Sequence, residues 1–390
     1  MSSAKIDQTD SQMMRFSRVV CIFFMMSVHL YPYGDNPSIL NGGLLWPVGM
    51  IWVDFLGRAS VATLSFVSGY LLWLALANKT ILSILRQKFL VLIVPMMTWN
   101  VIFIAAAIIF LLLGANPDVL PDFRDPMAVV NAVTGVLGPT ANYSLFFIRD
   151  LFVSSALIML AWPLLRRAPI MLLVLVAGLT LFKLTEPVIF RPMILLFMLS
   201  GCLLHEKGLR LHELAVPRIA LPIILGCFLL SVLVGAEAAL LPGVLVTETR
   251  GFLLRLALIA TILMIARVFV MRGMDAAVSA FESGAYLTYL SHVLLAKFLW
   301  EVFSAAGTNP NGVAYILYFL VTPVVIFWTA RYAVTPLRRL PGFLPRMLTG
   351  KPRLTAVRAR PAAYKGVKSS ILNEKNDKGR GETRASRHPL

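Results

Sequence analysis

The sequence predicts an all-helical integral membrane protein with about ten transmembrane helices, and three observations support this fold class. The chain is 58% hydrophobic and only 14% charged, whereas soluble domains carry about a quarter charged residues. Its apolar residues fall into runs of about 20, the length that crosses the ~30 Å hydrocarbon core of a bilayer. Basic residues are concentrated in every second segment between these runs, which is the pattern of the positive-inside rule.

Ten apolar runs meet the length requirement, and polar, proline-containing or glycine-containing segments separate most of them. The second run is interrupted near Gly57-Arg58, where a charged residue follows a glycine. The predicted spans, in chain order, are 16–33, 50–76, 89–113, 143–164, 168–185, 188–205, 219–241, 251–271, 285–304 and 312–332.

The positions of Lys and Arg predict the orientation of these spans. Segments on one side carry most of the cations, and segments on the other side carry few. Because the cation-rich side of a membrane protein faces the cytoplasm, both termini are predicted to be cytoplasmic. The cations assigned to that side, apart from the C-terminal tail, are Lys5, Arg15, Arg18, Lys79, Arg86, Lys88, Arg166, Arg167, Lys207, Arg210, Arg218, Arg267 and Arg272.

The C-terminal tail supplies most of the formal net charge of +17. From Arg331 onward there are 15 Lys or Arg and three acidic residues, a net charge of +12. A basic segment after a hydrophobic span is attracted to anionic lipid headgroups, whereas nucleic-acid binding favours interleaved aromatic residues. Beyond Phe343 the only aromatic residue is Tyr364, so no nucleic-acid partner is predicted. We divide the chain into a cytoplasmic segment (1–15), a membrane domain (16–335) and a disordered basic tail (336–390).

His29 is the most informative polar residue, because ionisable side chains at membrane depth usually face a bundle interior or an aqueous cavity. It follows Arg18 by 11 residues, about 16 Å along a helix, and their azimuths differ by only ~20°. Both side chains can therefore line one helix face. Imidazole is suited to general base catalysis, and a guanidinium group to phosphate or carboxylate binding. The alternative is a histidine that is hydrogen-bonded to a neighbouring helix.

Other ionisable residues at membrane depth allow both structural and functional interpretations. Arg58 lies one turn after Asp54, so an ion pair is favoured over binding of a carboxylate substrate. Arg149 and Asp150 are adjacent and point in different directions, so we expect them to line the cavity without forming a simple pair. His292 is expected to bind His29 or a substrate, and an interhelical hydrogen bond is an equal alternative.

The sequence contains no recognisable metal or nucleotide signature. His205, His212 and His388 are not grouped with Cys, Asp or Glu at ligand spacing, so no metal is predicted. Gly-rich phosphate loops and the Gly-x-Ser-x-Gly motif are absent from the sequence. The three cysteines, Cys21, Cys202 and Cys227, lie in apolar runs and are expected to be buried and unpaired.

Five segments in order resemble the acyltransferase-3 family, multi-spanning membrane enzymes that O-acylate carbohydrates. The first helix of that family carries an arginine, ten intervening residues and a histidine, which Arg18 and His29 match. Its frequent carboxylate just before the arginine is missing here, where the stretch reads "MMRFSR". Within the family, the chain is most similar to rhizobial exopolysaccharide succinyl- or acetyltransferases. The segments are "RVVCIFFMMSVHLYP" (18–32), "GRASVATLSFVSGYLLW" (57–73), "RQKFLVLIVPMMTWN" (86–100), "YSLFFIRDLFV" (143–153) and "YLTYLSHVLL" (286–295).

The resemblance implies transfer of a short acyl group from cytoplasmic succinyl-CoA or acetyl-CoA to a sugar hydroxyl. It implies no permanently bound cofactor, and a location in the bacterial inner membrane. His29 is the predicted base and Arg18 its catalytic partner. The predicted substrate-binding residues are Arg58, Arg149 and His292, and the predicted coenzyme A phosphate ligands are Arg86 and Lys88. For the last two, a purely topological role is the stronger alternative.

The expected acceptor is an exopolysaccharide or its lipid-linked precursor, and the other expected partners are membrane lipids and polysaccharide-assembly proteins. A transporter or flippase is the main alternative function. Transporters commonly show internal repeats and matched broken helices, and neither is evident in this sequence. A structural subunit of an assembly complex is the third possibility.

Overall fold

The computed structural model describes residues 6–30, 50–114, 120–186, 188–236, 242–307 and 313–354. The regular secondary structure of these residues is helical. The α-helices are α1 (Gln8–Ser27), α2 (Arg58–Asn78), α3 (Ile81–Lys88), α4 (Val94–Leu112), α5 (Pro126–Thr134), α6 (Phe146–Leu160), α7 (Trp162–Arg167), α8 (Pro169–Leu181), α9 (Met193–Glu206), α10 (Leu211–Leu214), α11 (Pro217–Ala236), α12 (Gly243–Met271), α13 (Asp275–Ser279), α14 (Glu282–Ala305), α15 (Val313–Leu337) and α16 (Leu344–Thr349). Two π-helical segments (Met50–Gly57 and Phe89–Ile93) and one 3₁₀ turn (Tyr143–Leu145) complete the set.

Six helical stretches of the described chain are long and apolar enough to cross a membrane. Two shorter apolar helices, α8 and α9, lie between the third and fourth of them. Each of the ten predicted spans overlaps one helix, but α1 and α14 carry too many polar residues to meet the same criterion, and the count of ten stays a prediction. The six stretches are Ile51–Asn78, Ile81–Leu112, Tyr143–Leu160, Pro217–Ala236, Gly243–Met271 and Val313–Leu337.

The outer surface of the bundle is apolar, as lipid contact requires. In α11 the side chains of Leu225, Leu229 and Val232 are all more than 60% exposed. A helix that leaves such residues on its surface needs hydrocarbon as its solvent. The described chain is therefore that of an integral membrane protein.

Helix α1 begins earlier and ends earlier than the predicted first span (16–33). The Asp7 carboxylate accepts a hydrogen bond from Thr9 N (2.8 Å), so the helix starts at Gln8. Its last residue is Ser27, and the Val28 N–H already bonds in a tighter turn to the Met25 carbonyl. Helix α1 lies in the middle of the bundle, where it packs against α2, α12 and α14.

Helices α2 and α9 pack closely because each presents a glycine to the other's backbone. A Cβ on Gly69 would collide with the Met198 backbone, and a Cβ on Gly201 with that of Phe66. Small residues of this kind let transmembrane helices approach when hydrophobic driving force is weak. The predicted interruption at Gly57-Arg58 is a change of winding, since a π-helical segment continues there into α2.

The described chain up to Arg353 forms one compact unit, which we call the first unit. The first unit includes α16, which packs against α4, α14 and α15. The predicted boundary between membrane domain and tail, at 335/336, therefore falls inside the first unit. Of the predicted disordered tail, residues 355–390 lie outside the described residues.

Candidate active site

His29 lies in the turn that follows α1, and the prediction that it lies within the helix is wrong. Its backbone N–H donates to the Met26 carbonyl (2.9 Å), so the chain continues in a tighter, near-helical turn. The imidazole is partly buried, and its Nδ1 lies 3.3 Å from the Tyr143 hydroxyl. Its ring also lies beside that of His292, with centroids 5.2 Å apart and planes inclined by 51°. The structure thus brings together two histidines that are 263 positions apart in the sequence.

His292 is fully buried in α14, and its tautomer is fixed by the backbone. Its Nδ1 lies 2.6 Å from the Tyr289 carbonyl oxygen. A carbonyl oxygen only accepts, so Nδ1 must carry the proton and donate it. Nε2 of the neutral ring is then a bare acceptor, and it is buried with no hydrogen-bond partner among the described residues. A buried unpaired acceptor is costly unless a substrate or water binds it.

The Tyr143 turn is held in place by a polar network that joins three helices. The Asn142 N–H donates to Asn100 Oδ1 (3.1 Å), and the Asn100 amide donates to the Val133 carbonyl (2.9 Å). From the other side, the Tyr289 hydroxyl donates to the Ser144 carbonyl at 2.6 Å. These bonds cross from α4 and α14 to the start of α6. They fix the phenol of Tyr143 against His29.

Arg18 faces α14, where Glu282 supplies the carboxylate missing from its own helix. Arg18 Nη1 lies 3.9 Å from Glu282 Oε1, and Arg15 Nε lies 3.8 Å from Glu282 Oε2. These distances exceed hydrogen-bond length, and the three side chains are 35–48% exposed. The contacts are loose, and the Arg18 side chain remains 40% exposed.

Arg149 and Asp150 form a buried ion pair, and the expectation that they would not pair is wrong. Arg149 Nη1 lies 2.7 Å from Asp150 Oδ1, because the long arginine side chain curls back over its neighbour. The guanidinium also donates to the Val188 carbonyl (2.6 Å), and Asp150 accepts from Arg191 N (2.9 Å). The pair therefore ties the loop before α9 to the start of α6. Substrate binding by Arg149 stays a prediction, and its contacts support a structural role.

In the described part of the chain, Arg86 and Lys88 have no hydrogen bond or ion pair with the histidine pair. The side chains of Asp54 and Arg58 lie outside the described residues. Arg86 is exposed in the last turn of α3, and Lys88 is half-buried two residues later. In the described part of the chain, no hydrogen bond or ion pair joins either of them to Arg18. Their assignment to coenzyme A stays a prediction.

Metal ligands are not clustered in the part of the chain that the structure describes, where no three His, Cys, Asp or Glu side chains come together. His212 instead pairs with the buried Asp10, with Nδ1 2.8 Å from Oδ1. Cys21, Cys202 and Cys227 are buried and form no disulfide.

The sequence interpretation missed the residues that position the site. Glu282 precedes the predicted ninth span, and Asn100, Asn142 and Tyr143 carry no charge at neutral pH, so the pattern of ionisable groups at membrane depth does not indicate them. Asparagine is also costly to bury in a bilayer unless it is hydrogen-bonded. The sequences "TWN" and "ANYS" therefore contained a usable signal.

Comparison with known proteins identifies the family. The family model Acyl_transf_3, described as an acyltransferase domain, matches residues 14–331. No curated protein and no solved structure matches the chain. The match spans both histidines, Arg18, Glu282 and the turn at Tyr143. The chain therefore belongs to the acyltransferase-3 family of membrane proteins, and this membership implies acyltransferase activity.

Proposed function

We propose that this protein transfers a short acyl group, succinyl or acetyl, from acyl-CoA to a sugar hydroxyl of an exopolysaccharide or of its lipid-linked precursor. The observation that carries the proposal is the contact between His29 and His292, where one buried imidazole presents an unpartnered acceptor nitrogen. A hydroxyl is a weak nucleophile, and a nearby base removes its proton as it attacks.

His29 is the better base of the two histidines. A base becomes positively charged when it takes a proton, and burial penalises that charge. His292 is fully buried and no carboxylate bonds to it among the described residues, whereas His29 is only partly buried beside a phenol. We assign proton removal to His29. We assign to the bare Nε2 of His292 a hydrogen bond from the acceptor sugar, which orients the attacking oxygen.

The proposed reaction exchanges one bond for another at the acyl carbonyl carbon. The sugar oxygen forms a bond to that carbon, and its proton passes to His29. The carbon–sulfur bond of the thioester breaks, and the departing thiolate takes the proton from His29. No other reactant is consumed, and CoA is a co-substrate and not a bound cofactor.

Topology supports a cytoplasmic donor. The end of the bundle that holds Arg18 carries most of the cations, which the positive-inside rule places in the cytoplasm. Arg18 precedes His29 by 11 residues, about 16 Å of rise. We propose that the phosphates of CoA stay at Arg18, while the acyl-bearing arm reaches His29. Both termini are then cytoplasmic, the membrane is a bacterial inner membrane, and membrane lipids and polysaccharide-assembly proteins are the proposed neighbours.

The test compares His29→Ala with His205→Ala, a histidine in the last turn of α9 whose ring packs against Tyr70. The gene for each variant replaces the wild-type gene in cells that make the glycan. The amount of each variant protein in the membrane is matched to that of the wild type. We expect His29→Ala to lower ester-linked acyl groups on the glycan by about 10²–10⁴-fold at normal glycan yield. His205→Ala keeps the ester content of the wild type. A normal ester content in His29→Ala contradicts the assignment, and loss of glycan export with normal esterification favours a transporter.

A further inference from the structure

The chain folds back after α15 and docks on the end of the bundle that holds Arg18. The Trp99 indole donates to the Leu348 carbonyl (3.0 Å), and the Lys351 ammonium donates to the Ser283 carbonyl (3.2 Å). Gly350 has a left-handed backbone (φ 65°) and sits against Tyr286 and the Val91 carbonyl. We call residues 338–353 the fold-back segment. The sequence predicts a disordered basic tail from residue 336 onward, whereas residues 344–349 of this segment form α16.

Docking brings Lys351, a cation of the fold-back segment, to the end of the bundle that holds Arg18. Lys351 bonds to the residue next to Glu282, the carboxylate that Arg15 and Arg18 share. Burial and the nearby Arg338 lower the pKa of the Lys351 ammonium, Glu282 raises it, and Arg18 lowers it further. The Lys351–Ser283 hydrogen bond and the Arg18–Glu282 contact place Lys351 and Arg18 in the same part of the bundle. Glu282 contacts Arg15 and Arg18, and the fold-back segment itself carries Arg338, Arg346, Lys351 and Arg353.

The fold-back segment also contains a hollow with the chemistry of a nucleotide site. A cavity of about 310 Å³ is lined by Gly342, Phe343, Arg346, Pro352 and Arg353. Phe343 is 45% exposed and lines the cavity, so its side chain is available to a planar base. Aromatic rings stack on bases, and guanidinium groups bind phosphate with two parallel hydrogen bonds. Arg338 donates to the Pro352 carbonyl (3.3 Å) and so closes the loop that forms one wall.

We propose that the fold-back segment binds the phosphorylated adenosine end of acyl-CoA. Phe343 contacts the adenine, Arg346 and Arg353 bind phosphate, and Lys351 extends the basic surface toward Arg18. This proposal rests on the proposed function, because it takes acyl-CoA as the donor. It adds a site on residues 338–353, all of which lie beyond the region that the family model matches (14–331). The fold-back segment carries five cations and no carboxylate, and such an excess of positive charge is suited to a ligand with several phosphates.

The experiment uses the full-length protein in nanodiscs of neutral phosphatidylcholine. Initial rates are measured against acyl-CoA for wild type and the Arg346→Ala/Arg353→Ala variant. We expect the KM for acyl-CoA to rise about tenfold with kcat within twofold, since charge-assisted bonds to phosphate are lost. The matched control is Arg166→Ala/Arg167→Ala, an exposed arginine pair that lines no part of the hollow. It should keep the KM of the wild type.

Acyl-3′-dephospho-CoA tests the ligand itself. Wild type should bind it more weakly than acyl-CoA, and the double variant should bind the two donors equally. If the double variant does not fold, Gly350→Ala provides a second route, because a Cβ there collides with Tyr286 and undocks the segment. Its KM should also rise. Its control is Gly273→Ala, which has the same left-handed backbone (φ 67°) but open space around it.

The outcomes separate this proposal from the proposed function. If both variants turn over acyl-CoA with the KM of the wild type, the nucleotide site on the fold-back segment is refuted and the proposed acyltransferase function stands. No turnover of acyl-CoA by wild type overturns the donor assignment itself. A KM effect that appears only when anionic lipid is added assigns the phosphate chemistry to lipid headgroups, which also overturns the nucleotide site.

Discussion

At the scale of single residues, the site consists of two imidazoles with different surroundings. His29 is partly buried and contacts a phenol, whereas His292 is enclosed and has its Nδ1 proton committed to the Tyr289 carbonyl. In the function that we propose, the two rings have different tasks: His29 accepts a proton, and His292 holds a hydroxyl group.

Replacement of His292 by asparagine tests this division. The Asn amide can still donate to the Tyr289 carbonyl, as Nδ1 of His292 does, but it removes the bare Nε2 acceptor. We expect kcat to fall about tenfold or more, with membrane abundance and thermal stability near those of wild type. The measurement is the initial rate of acyl transfer at saturating donor. A rate equal to that of wild type would show that Nε2 makes no bond to the substrate.

Because Arg149 and Asp150 form a buried ion pair, we expect removal of the Asp150 carboxylate to lower the stability of the protein substantially. Asp150 is fully buried and accepts from both Arg149 and the Arg191 backbone. Asp150→Ala leaves a buried guanidinium without its counter-ion, so we expect a loss of about 3 kcal/mol. Thermal unfolding of the purified protein in detergent measures it. Glu186→Ala, which breaks an exposed pair with Lys183, is the control and should change little. Equal melting temperatures for all three proteins would refute a structural role for Asp150.

At the scale of the helices, the crossing of α2 and α9 depends on glycine. A methyl group on Gly201 would meet the Phe66 carbonyl and lie 2.9 Å from Tyr70 N, and backbone atoms cannot move aside independently. We expect Gly201→Ala to force the helices apart and to destabilise the protein by about 1–3 kcal/mol.

Gly226→Ala in α11 is the matched control, because no atom lies within 4 Å of its Cβ position. Alanine has a higher helix propensity, so this variant should keep or slightly raise the melting temperature. Both proteins are melted in the same detergent. A Gly201→Ala protein as stable as Gly226→Ala would show that the crossing is looser than described.

At the scale of the whole molecule, the compact unit continues through α16 and ends at Arg353. A chain truncated after Leu354 therefore keeps every described contact of the bundle, and we expect it to retain its activity. A chain truncated after Leu340 loses α16, and with it the bonds to Trp99 and Ser283. We expect that chain to lose at least tenfold in acyl transfer, measured in membranes and normalised to abundance. Equal activity of the two truncated chains would show that α16 is dispensable.

The helical membrane architecture followed from the sequence because hydrophobicity is a local property of each run. Six of the predicted runs became long apolar helices, and the remaining four also overlap helices. The predicted ends of these helices were less accurate than their positions. Helix α1 starts at Gln8 because Asp7 caps it there, and it stops at Ser27, two residues before His29.

The sequence by itself determined the membrane class and the basic C-terminal region, and it singled out His29 and Arg18 as candidate site residues. It did so because composition, charge distribution and the spacing of one arginine and one histidine are properties of the linear sequence. Only the tertiary structure decided the partners of these residues. Glu282 reaches Arg18, and His292 reaches His29, across more than 260 positions, and such contacts depend on helix packing that no local pattern encodes.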